Sequence, residues 1–533
     1  MAVSSYYSIA YLALFLPIVI ILYTVMPKKV RWLVLLLSSW WFFWCVSGKL
    51  LVYILLSSLS IHHGGIWLSL LQKERDSLME TAADKERKKE LRSLYKRKQR
   101  MAAAAIAGLN IGILVFLKYG AFFGGNLNSL LALLKIPAVV SIPSLAVPIG
   151  ISFYTLQAVS YIMDVYHEKI QADRNMGRLA LYLSFFPQLM EGPICRYSET
   201  AMQLWRGERI RHENLVSGTQ RMVFGMMKKI VIADRLNQFI KNVFTNNSNY
   251  DGTMTAIAVV LYTCQLYMEF SGTMDMALGC SEIFGMRMPE NFRQPFFSRS
   301  ISEFWQRWHI TLGTWFKDYI FYPLSMANPM KKLTSRARKK LGNHYGPLIA
   351  GSAALFVVWL CNGLWHGAGW HYIFFGMYHF VLILAGNMTE PLFRGAAEKL
   401  HIRRESVPYR AFQVVRTAAL VCVGELFFRA DSLRIGLSMF RNMVTGLSFA
   451  SIRNGTVFQA GMDRKDFVIV LIGVLIVLVN SVMKEKGIQP RKWLAGRPAA
   501  VRWAVCYALI LFVVVFGAYG TGYVPLDPIY ANF

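Results

Sequence analysis

Acidic side chains are scarce in this 533-residue chain, which carries 30 Asp and Glu against 58 Lys and Arg and has a formal net charge of +28. Cysteine is rare as well: the seven cysteines stand singly, without the CxxC spacing of a zinc or redox site. The sequence has no Walker A loop, no GxSxG elbow and no EF-hand loop, and no carboxylates accompany its histidines at metal-ligand spacing. We therefore expect no metal site and no permanently bound cofactor.

Apolar residues are abundant, at 55% of the chain with a mean hydropathy of +0.37. Crossing a hydrocarbon layer takes about 20 residues, and uncharged stretches of about this length recur along the chain. They cover 1–27, 32–47, 50–72, 101–117, 136–163, 252–268, 346–389, 467–483 and 503–525. The first lacks a basic leader and a cleavage pattern, so we interpret it as a retained helix. The sequence predicts an all-α integral membrane protein with one domain over 1–533.

The positive charge lies in short blocks between the apolar stretches, at 28–31, 73–100, 331–340 and 484–502. Such blocks are typical of cytoplasmic loops that contact anionic membrane lipids, and we expect no nucleic-acid partner. The pattern places the N-terminus outside and segment 73–100, a charged helical loop, in the cytoplasm.

The region from about 180 to 330 is different, because Pro, Gly and charged residues interrupt its apolar stretches. Broken backbone is tolerated within a membrane only where protein or a water-filled cavity supplies hydrogen bonds. The region therefore predicts re-entrant or interfacial helices around a cavity.

Within this region the segment SEFWQRWHITLGTWFKDYIFYPL, residues 302–324, is compatible with one helix that ends at Pro323. Its aromatic residues recur at steps of three and four and form one face, while Arg307 and Asp318 lie on an opposing polar face. The segment is either an interfacial amphipathic helix or the wall of a passage in which Arg307 and Asp318 fix polar groups.

A second constellation is WLCNGLWHGAGWHYIFFGMYHF, residues 359–380. His366 follows a long apolar stretch and precedes Gly367 and Gly369, which allow backbone or substrate to approach closely. An ionisable side chain within a membrane is a functional candidate, although it can also simply bond a neighbouring helix. We expect that structural role for His371 and His379, since neither has a glycine-lined opening in the sequence.

A histidine in an apolar cavity stays neutral, because desolvation disfavours its charged form. A neutral imidazole can accept the proton of an attacking alcohol. A functional role for His366 would therefore be acid–base chemistry, and the residues alone leave this role and the structural one open.

These two segments together resemble the membrane-bound O-acyltransferases, in particular the bacterial branch that acetylates alginate and peptidoglycan or transfers D-alanine to teichoic acids. Further similar segments span most of the chain, at 116–123, 147–166, 185–197, 222–234, 267–279, 287–296, 427–432 and 516–530. Glu191, before GPI, and Glu269, before FSG, depart from the family pattern.

The resemblance implies that His366 and His309 are the catalytic pair. It also implies a ring of 11–13 transmembrane or re-entrant helices around a central tunnel, in a bacterial cytoplasmic membrane. We expect the substrates to contact Trp305, Arg307, Trp308, Asp318, Asn362, Trp365, Glu191 and Pro193.

The implied reaction moves an acyl group, acetyl in our first interpretation, from acetyl-CoA or an acyl carrier protein thioester on the cytoplasmic side. The acceptor is a hydroxyl of an extracytoplasmic polysaccharide, reached directly or through a partner transferase. D-alanyl transfer to teichoic acid is the second interpretation. A transporter or flippase is the third, although no repeated halves with matching broken helices are evident.

Overall fold

The computed structural model describes residues 3–137, 139–141 and 145–519, so most of the similar segment 516–530 lies outside the described residues. The all-α prediction is confirmed: over the described ranges the only β-type pairing is an isolated bridge between Phe292 and Trp308. Contacts group these residues into two units. One unit contains the residues up to Thr219 and Met276–Pro289, and the other contains Gln220–Asp275 and the residues from Glu290 on.

The first half of the chain contains eleven α-helices: α1 Leu16–Val25, α2 Arg31–Ser47, α3 Leu51–Thr81, α4 Lys85–Leu133, α5 Ile151–Tyr166, α6 Met176–Ser184, α7 Phe186–Leu189, α8 Tyr197–Arg206, α9 His212–Met226, α10 Asp234–Thr245 and α11 Gly252–Ile283. A π-helix precedes α1 at Tyr11–Phe15, and another joins α9 to α10 at Met227–Ala233. Such widened turns often occur at functional sites.

The second half continues with α12 Ile301–Arg307, α13 Ile310–Phe316, α14 Tyr322–Ser325, α15 Asn328–His366, α16 Trp370–Lys399, α17 Val407–Arg429, α18 Leu433–Thr445, α19 Ala450–Arg453, α20 Arg464–Glu485, α21 Pro490–Ala495 and α22 Ala499–Phe516. A third π-helix, Lys317–Phe321, lies between α13 and α14.

Seven helical segments within the described residues are long and apolar enough to cross a membrane: Lys28–Thr81, Lys85–Leu133, Asn328–His366, Trp370–Lys399, Val407–Arg429, Arg464–Glu485 and Ala499–Phe516. Large apolar side chains on them point outward, such as Leu471, which is 56% exposed, and Val514, which is 58% exposed. Lipid covers such surfaces where water would not. The chain is therefore a multi-pass membrane protein, while the ring around a tunnel stays a prediction.

The charged segment 73–100 consists of the end of α3 and the start of α4, which continue the apolar parts of both helices. The two helices are interrupted only around Asp84, whose carboxylate accepts a hydrogen bond of 2.6 Å from the backbone N–H of Arg87 and caps α4.

The long uncharged stretch 346–389 lies in two helices and the turn between them: α15 ends at His366 and α16 begins at Trp370. The two helices pack closely because Gly363 and Gly376 lack side chains. A Cβ on Gly363 would lie 2.5 Å from the Tyr372 carbonyl oxygen, and one on Gly376 would lie 2.4 Å from that of Trp359.

The prediction of one helix over 302–324 is wrong, because the chain breaks between α12 and α13. Trp308 is extended and His309 is left-handed, with a φ of 45°. The Arg293 N–H bonds the Arg307 carbonyl at 2.9 Å, and this bridge pulls the chain out of the helix. Pro323 does not end the helix as predicted, because it is the second residue of α14, which runs to Ser325.

Candidate functional site

His366 is the last residue of α15 and is 3% exposed. Three aromatic rings surround its imidazole, with centroid distances of 5.0 Å to Trp365, 5.6 Å to Phe375 and 5.1 Å to Phe428. Helices α15, α16 and α17 thus contribute to one apolar environment. Such surroundings keep an imidazole uncharged and available as a base.

The glycines after His366 serve packing within the protein. A Cβ on Gly367 would lie 2.2 Å from the Tyr372 ring, and one on Gly369 would lie 2.5 Å from the ring of His371. The sequence suggested close approach of backbone or substrate at these glycines. In the structure the side chains of Tyr372 and His371 occupy that space.

His309 lies in the break between α12 and α13 and is 2% exposed. Its Nδ1 is 3.3 Å from the Asn291 amide oxygen, which also accepts hydrogen bonds of 3.0 Å from the backbone N–H and the hydroxyl of Thr311. Because an amide oxygen only accepts, Nδ1 carries the proton and Nε2 carries the lone pair. Burial lowers the pKa of His309 to about 3, so the ring is neutral.

The indole of Trp365 joins the two histidines. Its ring centroid lies 5.4 Å from that of His309 and 5.0 Å from that of His366. Phe270 closes the other side of His309 at 4.8 Å. The tertiary structure therefore gathers both predicted histidines, 57 positions apart in the sequence, around one aromatic side chain.

A charged cavity of about 40 Å³ lies in the same unit and shares Asn291 with the His309 environment. Arg221 pairs with Asp275 at 2.8 Å and with Glu290 at 2.6 Å, and the Lys228 ammonium lies 2.5 Å from Asp275. Burial would raise the pKa of Asp275, but the charges of Lys228 and Arg221 outweigh it and hold that pKa well below its usual range.

The cavity carries a surplus of positive charge. Lys484 is a third cation in its wall, against the two carboxylates of Asp275 and Glu290. Asn480 and Ser481 supply further polar groups from α20. The volume suffices for a few water molecules or part of a polar group, since one water needs about 10–15 Å³.

The residues in and near α12 that we predicted to contact substrates lie in different environments. Arg307 bonds Glu303 at 2.8 Å and also pairs with Glu485, so it connects α12 to α20. Asp318 is exposed in the π-helix. Trp308 is buried between Phe304 and Phe292. Of these residues, Trp305 alone faces α15 and α16, with its ring 5.0 Å from Trp359.

Two of the predicted contacts belong to the unit that contains the N-terminus. Glu191 and Pro193 follow the short helix α7, and both are buried. Nearby, the Tyr6 hydroxyl donates to the Phe186 carbonyl at 2.8 Å and accepts from the Met190 N–H at 3.1 Å. These bonds fix the broken backbone before Glu191, as expected for a non-helical segment in a membrane protein.

The sequence analysis gave no functional role to three features of this site. The first is Asn291, within the similar segment 287–296, whose position before FRQPF was the available signal. The second is the pair Arg221 and Lys228, beside or within the similar segment 222–234. The third is Glu269, which is fully buried with its carboxylate 3.9 Å from the Lys229 ammonium.

The sequence model of the family described as MBOAT, membrane-bound O-acyltransferase family, matches residues 168–338. The chain is 32% identical to the probable alginate O-acetylase AlgI of Pseudomonas putida over 377 residues, which cover 68% of this chain and 71% of that protein. It is 30% identical to the peptidoglycan O-acetyltransferase of Helicobacter pylori, over 64% of each chain. It is also 30% identical to the teichoic acid D-alanyltransferase of Bacillus subtilis, over 45% of this chain and 59% of that protein.

Proposed function

Because the chain belongs to the membrane-bound O-acyltransferase family, we propose that it moves an acetyl group from a cytoplasmic thioester to a hydroxyl of an extracytoplasmic cell-envelope polysaccharide. The single observation that carries the proposal is the contact of one indole, Trp365, with both His309 and His366. Acyl transfer needs a base for the hydroxyl, and His366 meets that need in an apolar, enclosed setting.

In the proposed reaction His366 takes the proton of the acceptor hydroxyl as the oxygen attacks the thioester carbonyl. The C–S bond then breaks, and the proton ends on the departing thiolate. His309 is neutral and its Nδ1–H is directed to Asn291. It therefore acts as an acceptor that orients the hydroxyl, rather than as a donor to the oxyanion.

The donor in this proposal is acetyl-CoA or an acyl carrier protein thioester, both of which carry phosphate. The charged cavity supports this choice, because Arg221, Lys228 and Lys484 surround it and Asn291 links it to His309. A cationic cavity raises the local concentration of an anionic donor. Replacing Lys484 by Ala should raise the KM for the donor and leave kcat nearly unchanged.

We favour acetyl over D-alanyl transfer because the similarity to the alginate protein covers 71% of that relative, against 59% of the D-alanyltransferase. The acceptor is either a polysaccharide or the hydroxyl of a partner transferase that passes the group on. Mass spectrometry of envelope glycans from cells with and without the protein distinguishes acetyl from D-alanyl esters.

The decisive test uses the full chain in lipid nanodiscs with radiolabelled acetyl-CoA, or an acetylated carrier protein, and a soluble glycan acceptor. His366→Ala should lower the transfer rate by about 10²–10⁴-fold, because a general base contributes a factor of this size. His371→Gln is the matched control, since it removes a neighbouring imidazole five residues away. Transfer by His366→Ala at a rate within a few-fold of the unaltered protein would exclude His366 as the base.

A further inference from the structure

His379 is a third histidine in the same unit, and the sequence favoured a purely structural role for it. Its side chain is completely buried on α16, one turn after Phe375, whose ring lies 4.8 Å away. No group among the described residues forms a hydrogen bond with its Nδ1 or its Nε2. A neutral imidazole has one donor and one acceptor, so both of its bonding positions need a partner.

A second buried polar group without a hydrogen-bond partner lies next to His379. The Trp305 ring lies 5.0 Å from the imidazole, and the buried indole N–H of Trp305 also has no acceptor among the residues described. Gly424 on α17 places bare backbone beside the ring, because a Cβ there would lie 2.7 Å from Nε2. A glycine thus adjoins His379 in space, although none adjoins it in the sequence.

A third buried polar group without a partner belongs to Asn362, which lies on the same helix as His366. Trp359, Asn362 and His366 lie at steps of three and four on α15 and therefore share one helix face. Trp359 contacts His379 at 5.6 Å, which places Asn362 between the His379 end and the His366 end of this face. Its side-chain oxygen is buried and has no donor within the described part of the chain.

The buried polar atoms without partners thus belong to three residues of packed helices: Trp305 of α12, Asn362 of α15 and His379 of α16. A buried polar group without a partner destabilises the fold, and lipid cannot satisfy any of these groups. These groups include donors, at Trp305 and His379, and acceptors, at Asn362 and His379. Water is the small molecule that serves both kinds of group, and buried water commonly makes about three such bonds.

We propose that Asn362, Trp305 and His379 bind a row of internal water molecules beside His366, and that this row exchanges protons with the His366 imidazole. The proton-exchange part rests on the proposed acyl transfer. In that reaction the hydroxyl proton leaves oxygen for His366 and must reach sulfur as the C–S bond breaks. The row provides a path for it, so His379 and Asn362 are positioning residues that hold the waters.

The water row is tested without any acyl donor, by X-ray hydroxyl-radical labelling of the full chain in nanodiscs. Radicals form from bound water, so Trp305 should be oxidised at least several times faster than Trp41, a lipid-facing indole that is 61% exposed. His379→Phe should slow the labelling of Trp305, and His379→Gln, which keeps a donor and an acceptor, should restore it. Equal labelling of Trp305 and Trp41 in the unaltered protein would overturn the proposal.

The proton role is tested by transfer kinetics in H₂O and D₂O. His379→Phe should lower kcat about tenfold, change the KM for donor and acceptor less than twofold, and increase the solvent isotope effect. His379→Gln should recover most of kcat. Unchanged kcat and isotope effect in His379→Phe would overturn the proton role. If the unaltered protein labels as expected but transfers no acyl group, the proposed function fails and the water row stands.

Discussion

The backbone at His309 is the most constrained local feature of the site. A non-glycine residue in the left-handed region costs on the order of 1–3 kcal/mol and is commonly found at functional positions. Here the Asn291 oxygen accepts from Thr311 twice and from His309, and the Ile310 N–H bonds the Asn291 carbonyl at 3.0 Å. Asn291 therefore holds the turn that orients the imidazole.

Replacing Asn291 by Leu should weaken both the turn and the transfer reaction. The substitution removes the acceptor of two buried Thr311 hydrogen bonds, at a cost of about 1–3 kcal/mol each. We expect a lower melting temperature in detergent and a lower kcat. Asn291→Asp is the matched variant because it keeps the acceptor. Equal stability of the Leu and Asp variants would contradict this assignment.

Asn291→Asp should also change the pH dependence of transfer. A carboxylate next to Nδ1 favours the imidazolium, so the pKa of His309 rises from about 3. The neutral acceptor ring then exists only above the raised pKa, and transfer is lost as the pH falls through it. We expect the acid limb of the rate profile to move to higher pH in this variant, measured between about pH 5 and 8. An unchanged acid limb would show that the protonation state of His309 does not matter.

At the scale of elements, the pairing of α15 with α16 decides where His366, Asn362 and His379 lie. Gly363 and Gly376 face the backbone of the opposite helix, so any side chain there would force the helices apart. A backbone carbonyl cannot move aside as the end of a flexible side chain can. The two glycines therefore determine the spacing of the candidate site.

Gly376→Ala should separate α15 from α16 and reduce stability by about 1–3 kcal/mol, the usual cost of overpacking. The thermal midpoint should fall, and the transfer rate should fall with it, because His366 moves relative to α16. Gly386→Ala, on the same helix with open space around the added Cβ, is the matched control. A Gly376 variant as stable and active as the Gly386 variant would contradict the close packing.

The break between α12 and α13 at Trp308 and His309 also depends on contacts between separate elements. The aromatic spacing of 302–324 fits one helix, and the residues on either side do form helices. The bridge to Phe292 competes with the helical hydrogen bonds at this point. A long-range pairing therefore overrides a local preference, and it places Trp308 and His309 in different environments.

At the scale of the whole molecule, the positive charge is distributed in blocks at the ends of apolar helices. The rule that such blocks stay in the cytoplasm places segment 73–100 inside the cell, and the turn after α4 on the other side of the membrane. The same rule predicts that the basic segment 484–502, which begins with Lys484, is cytoplasmic.

The orientation predicts a pattern of cysteine labelling in a variant whose seven native cysteines are replaced by Ser or Ala. Ser77→Cys should react with a membrane-impermeant maleimide only after the cells are opened. Lys135→Cys, after α4, should react in intact cells, which verifies that the reagent is active. Labelling of both positions in intact cells would contradict the proposed orientation.

The multi-pass membrane character and the helical class could be predicted from the sequence, which also singled out His366 as a candidate base; the resemblance implied that His309 and His366 form a catalytic pair. These follow from local properties, namely uncharged stretches of spanning length and histidines within recognisable segments. The resemblance over most of the chain supplied the family, which the relatives confirm.

Which side chains surround the histidines could not be predicted, because it depends on how distant segments pack. Asn291, Phe375 and Phe428 come from separate elements, and the orphan polar atoms around His379 appear only when α12, α15, α16 and α17 pack together. Burial and hydrogen bonding depend on the summed contacts of residues that are distant in sequence, which no local pattern encodes. The same packing pairs Arg307 with Glu303 and Glu485, whereas we had expected Arg307 to contact a substrate.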